Sequence, residues 1–260
     1  MRDFPTTFGN PVNVSRYSYK KWVNFVFEHP VAIQHSLKWR NSKKHFKNIP
    51  KEKEWYWLDS WDNYCNPKTL TRNATRLFNN TEILNKYSDD QILQGLYFLG
   101  FGTDPNLPDL LYDPTVPLKL RKKCIESMEN LYKNIFQTRN LTEASYMWWD
   151  WFRPPPPITH SKKWLIEIKK IPGLREKLGV GISKKNRANN ARKISESTFR
   201  TLAEILKINS ENCQKGALHG LNHLKHPKTK NVIQKYLKTN PKPSKQMHEY
   251  AKKCQNFKAQ

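Results

Sequence analysis

Apolar residues in this chain recur three and four positions apart, and nowhere do they settle into the strict alternation of a half-buried strand. Tyr19, Trp22, Val23 and Val26 mark one helix face. Asn66-Pro67 reads as an N-cap followed by proline in the first turn, ahead of a stripe at Leu70, Ala74, Leu77 and Phe78. Ser88 and Gln91 have the spacing of a capping box, with Ile92, Leu93, Leu96 and Leu99 behind them and Gly100 and Gly102 closing the segment. The strongest long helix is expected from about Val116 to Phe136, with Leu120, Cys124, Ile125, Met128, Leu131, Tyr132, Ile135 and Phe136 on one side. Another starts at Thr142 and runs into YMWWDWF. No Asn-Gly or Asp-Gly hairpin signal occurs. The expected fold is all-α: antiparallel helix pairs in an α-solenoid or an irregular bundle.

Four consecutive prolines, Pro154 to Pro157, stop that helix and form a stiff spacer. Composition changes after them. From Lys162 to Lys193 the cations are opposed only by Glu167 and Glu176, and GVGISKKNRANNARK carries so little apolar content that it reads as a mobile basic loop. Helical spacing resumes at Ser197, with Phe199, Leu202, Ala203 and Leu206. Ser210 caps the next helix, which carries Cys213, Ala217, Leu218, Leu221 and Leu224. His226-Pro227 breaks it before Val232, Ile233, Tyr236 and Leu237. The expected organisation is an N-terminal helical part over 1–153, a proline-rich linker and basic insert over 154–194, and a C-terminal helical part over 195–260 packed on the first.

The pair ENCQKGALHGLNHLKHPKTKNVIQKYLK, within 210–238, resembles one repeat of the HEAT or armadillo class. The resemblance implies stacked helix pairs with an extended concave surface.

Charge points to function. The 260 residues hold 46 Lys+Arg against 22 Asp+Glu, a formal net charge of +24. Such an excess repels itself in a compact state and calls for a polyanionic match: nucleic acid, an anionic membrane surface or an acidic protein. Three basic stretches carry it. The first includes Lys43 and Lys44, the second Lys162, Lys163, Lys184, Lys185, Arg187, Arg192 and Lys193, and the third is the Lys-rich tail. Lysine outweighs arginine in the tail, which favours phosphate neutralisation over base reading. Trp57, Trp61 and Trp149 would offer stacking surfaces beside them. No stretch is long and apolar enough to span a membrane, and no apolar leader is evident, so a cytoplasmic location is expected. Cys65, Cys124, Cys213 and Cys254 are far apart, as expected of reduced interior thiols.

Candidate chemistry is sparse. Glycine-rich nucleotide loops and GxSxG are absent, and no cofactor is expected. His219 and His223 stand four apart on one expected helix, a spacing that lets two imidazoles share a metal. The ordinary alternative packs His219 at a helix contact and leaves His223 to solvent, and no metal site is expected overall. Asp62 and Asp150 sit among tryptophans, where desolvation would raise a carboxyl pKa for acid–base work. In residue type, Trp57, Trp61, Asp62, Trp149 and Asp150 are similar to the Trp and Asp groups of the helical-repeat DNA glycosylases of alkylation repair. That similarity implies a repair enzyme with Asp62 or Asp150 as its carboxylate. Three readings stand: a basic module binding nucleic acid or another polyanion with little sequence preference, a glycosylase-type enzyme, or a scaffold for an acidic protein.

Overall fold

Asn66 accepts a hydrogen bond from the Thr69 amide through its side chain at 3.2 Å, and Pro67 opens the helix behind it. That helix belongs to an all-α fold. The computed structural model describes residues 13–28, 64–103, 105–152, 184–239 and 243–259, and for 184–187 the backbone alone. Its helices are α1 (Tyr19–Phe27), α2 (Pro67–Asn79), α3 (Asp89–Phe101), the single turn α4 (Leu107–Leu110), α5 (Leu118–Leu131), α6 (Thr142–Trp151), α7 (Lys184–Ile205), α8 (Glu211–Leu224), α9 (Thr229–Thr239) and α10 (Lys245–Gln255). Among the described residues the only β feature is an isolated bridge between Asn13 and Tyr64. No described helix is long and apolar enough to cross a membrane.

Local chemistry starts these helices where the residue types require it. The Ser88 and Gln91 side chains each accept from the other's amide, at 3.2 and 3.1 Å, closing the capping box of α3. Ser210 accepts from the Cys213 amide at the head of α8. α5 runs on into a π turn, Tyr132–Phe136, where the Gln137 amide reaches back to the Tyr132 carbonyl at 2.9 Å. A wider turn lines up residues four and five apart, and Leu131, Tyr132, Ile135 and Phe136 are all buried there.

α7 corrects the expected basic loop. The helix begins at Lys184, thirteen residues ahead of Ser197, so the end of the basic insert is its first half. Ala188, Ala191, Arg192 and Lys193 are good helix formers, and extending a helix from a packed nucleus is far easier than starting one. Ile194, fully buried, is the first anchored residue the packing supplies.

The buried apolar residues form one cluster from Val14 to Ala259. Its largest fully buried side chains are Trp22, Trp148, Tyr132, Phe27, Phe78, Phe98 and Phe136. α5 packs between α2 and α7. α8 is the hub, contacted by α6, α7, α9 and α10. The close approach of α8 to α6 rests on two glycines one turn apart. A Cβ on Gly216 would stand 2.5 Å from the Ser145 carbonyl oxygen, and one on Gly220 would stand 2.8 Å from Trp149 Cγ.

Candidate functional site

Two clusters of polar residues stand out from this core. The first is a basic groove of about 670 Å³ between α5 and α7. Lys119, Lys122, Lys123 and Glu126 follow i, i+3, i+4, i+7 spacing, which places them on one outward face of α5. Arg121, between them, turns inward instead. It is buried, it donates to the Leu111 carbonyl at 3.3 Å, and burial lowers its pKa, with Asp113 opposing. From α7 come Arg192, Lys193, Glu196, Ser197 and Arg200. Six cations therefore face two acids across one groove.

Both acids are already engaged. Glu126 accepts from the Ser197 hydroxyl at 3.2 Å. Glu196 pairs with Arg200 at 3.2 Å and meets His226 Nε2 at 3.2 Å, with Lys228 at 3.9 Å. Lys119, Lys122, Lys123, Arg192 and Lys193 make no ion pair among the described residues. The volume suits a small-molecule site, but such sites are mostly apolar, and this lining is mostly cationic.

The second cluster lies on the seam between α6 and α8. His219 Nε2 is 2.9 Å from Asp150 Oδ2, and His223 Nε2 is 3.3 Å from Asp150 Oδ1. The two imidazoles project from adjacent turns of α8, with ring centroids 4.5 Å apart. Tyr146, one turn before Asp150 on α6, lies against the His219 ring at 4.1 Å. His219 Nδ1 is 3.0 Å from the Tyr250 hydroxyl of α10, which donates to the Tyr146 hydroxyl at 3.1 Å. Burial, reinforced by the Tyr146 hydrogen bond, pushes the Tyr250 phenol well above its ordinary value. Asp150 and His219 expose only 10% and 4% of their side chains, while His223 exposes 22% and forms the open side.

The sequence-derived candidates divide accordingly. Asp150, His219 and His223 come together. Arg192 and Lys193 line the groove. Trp149 does not serve as a stacking platform: its ring is 3% exposed, 6.3 Å from the Tyr132 ring and close to parallel with it, so no base can reach its face. Lys43, Lys44, Trp57, Trp61, Asp62, Lys162 and Lys163 lie outside the described residues. Lys184, Lys185 and Arg187 sit on the first turns of α7, with their side chains outside the description.

Sequence reading missed Lys119, Lys122, Lys123 and Arg200, although the polar face of α5 carried a readable spacing. It also missed Tyr146, whose i, i+4 relation to Asp150 was available, and Tyr250, for which no local signal exists. All four cysteines are free and buried. Burial pushes the Cys65, Cys124 and Cys254 thiols up to about 12. Compared with known proteins, the chain matches no family model, no curated protein and no solved structure.

Proposed function

We propose that this protein binds nucleic acid through its phosphates, with little sequence preference, using the groove between α5 and α7. The observation that carries the reading is the six-cation lining, contributed by two facing helices, with both of its acids already engaged. Cations on adjacent turns, five of them without an ion pair among the described residues, repel one another, and a row of phosphates relieves that repulsion. The whole-chain charge of +24 adds long-range attraction for the same class of ligand. Lysines dominate the α5 side, which suits sequence-independent phosphate contact.

The test is fluorescence anisotropy with a labelled oligonucleotide at increasing salt. With about five phosphates neutralised, affinity falls roughly five-hundredfold between 50 and 200 mM salt. The K119E/K122E/K123E variant weakens binding and flattens that slope. These side chains are half-buried or exposed, so the fold persists, checked by circular dichroism. Salt-insensitive binding, or an α5 variant that binds like wild type, sinks the proposal. Stronger competition by an acidic protein than by the oligonucleotide would move the reading to a protein partner.

A further inference from the structure

We propose that Asp150, His219 and His223 form a binding site for a first-row divalent transition metal ion, zinc foremost, with one coordination position left to a water oxygen. The inference is independent of the basic groove.

The donor set is the first argument. Two imidazole nitrogens and one carboxylate oxygen all lie within 4.8 Å of one another. Three protein ligands with an open fourth position are the pattern of solvent-accessible zinc sites rather than closed structural ones, and imidazole with carboxylate also suits iron. Ligands about 2.0–2.1 Å from a tetrahedral ion stand roughly 3.3 Å from one another. The two imidazole nitrogens approach different oxygens of Asp150, at 2.9 Å for His219 and 3.3 Å for His223, so the carboxylate must turn one oxygen toward both rings as the three donors, now within 4.8 Å, draw in around an ion.

The second argument is the outer partner of His219. The Tyr250 hydroxyl stands 3.0 Å from His219 Nδ1 and 3.1 Å from the Tyr146 hydroxyl, so the ring nitrogen away from Asp150 is held in a hydrogen-bonded network. On its other side, His219 Nε2 meets the Asp150 carboxylate, and His223 Nε2 converges on the same group, so two imidazoles and one carboxylate face a common point. An outer hydrogen bond on the non-ligating nitrogen is also the usual support of a metal-bound histidine. The half-buried His223 edge gives an ion its way in.

Spacing and packing explain how the chain builds the site. His219 and His223 are i, i+4 on α8, and Gly216 and Gly220 on the neighbouring stripe let α6 come close enough for Asp150 to span both rings.

The experiment uses the full chain, stripped with chelator and then titrated with zinc and, separately, cobalt(II). Expected are one zinc ion per chain retained through gel filtration, a raised Tm with zinc, and a cobalt spectrum without a thiolate charge-transfer band. His223→Gln and Asp150→Asn each lower zinc affinity more than tenfold, while His226→Gln leaves it unchanged. Tyr250→Phe, a positioning change, lowers it about tenfold. His223 is on the open side, so its variant folds and carries the test alone if Asp150→Asn does not. Failure to retain stoichiometric metal, a thiolate band, or binding that His223→Gln leaves intact each overturns the proposal.

Discussion

Gly216 of α8 lies directly against Ser145 of α6, so that a methyl group on the glycine would meet the serine carbonyl oxygen at 2.5 Å. The same oxygen accepts the Tyr132 hydroxyl at 2.6 Å, and the Ser145 hydroxyl bonds Asn212 Oδ1 at 2.9 Å. Backbone cannot yield here as the end of a long side chain would. Gly216→Ala therefore forces α6 and α8 apart and destabilises the fold by about 1–3 kcal/mol. Urea denaturation checks it: the midpoint falls while the slope stays constant.

The groove permits a prediction of opposite sign to the charge reversals above. Glu126 is exposed and holds one of the two negative charges facing the cations. Glu126→Gln keeps an acceptor for Ser197 and removes that charge. Oligonucleotide affinity rises by roughly two- to fivefold at low salt and converges on wild type at high salt, as screening requires. Anisotropy titrations at two ionic strengths measure this directly.

Alkaline pH acts through the buried thiols. Cys65, Cys124 and Cys254 titrate at about 12 in the folded protein, against an ordinary value near 9. Between those values the unfolded chain has lost the protons that the folded one keeps. Stability is thus level below about pH 9 on this account and falls above it, by about 1.4 kcal/mol per pH unit for each thiol. Thermal unfolding from pH 7.5 to 10.5 should show a plateau and then a steep decline. The native thiols should also resist disulfide reagents until the chain unfolds.

Lys225 ends α8 in the left-handed region, at φ 49°. Its amide still closes the helix on the Leu221 carbonyl at 3.3 Å. A lysine Cβ is crowded in that conformation and glycine is not, although glycine gives up more chain entropy on folding. Lys225→Gly should gain about 0.5 kcal/mol net, visible as a small rise in Tm. Lys225→Val, with its branched Cβ, should lose more than that.

What could be read from the chain alone was local. The Asn66-Pro67 start, the Ser88–Gln91 box, the Ser210 cap and the stripes at Leu70, Ala74, Leu77 and Phe78 depend on neighbours within a turn or two, and all are present. The first half of α7 was not legible, because its run of lysines, arginines and asparagines leaves no apolar stripe to mark a helix. The His219–His223 spacing was legible as a possibility, but its third member was not. Asp150 is sixty-nine residues from His219, and only the α6–α8 contact brings them together. The groove was invisible for the same reason: Arg192 was legible as part of a basic stretch, but only the placement of α5 beside α7 sets Lys122 across from it.

The four unbridged sulfhydryls carry one more consequence. With no covalent crosslink to remember the topology, every long-range pairing in this chain must be rediscovered through packing alone. Denatured material held under reductant should regain its native spectrum on simple dilution, with no shuffling of bonds to slow it.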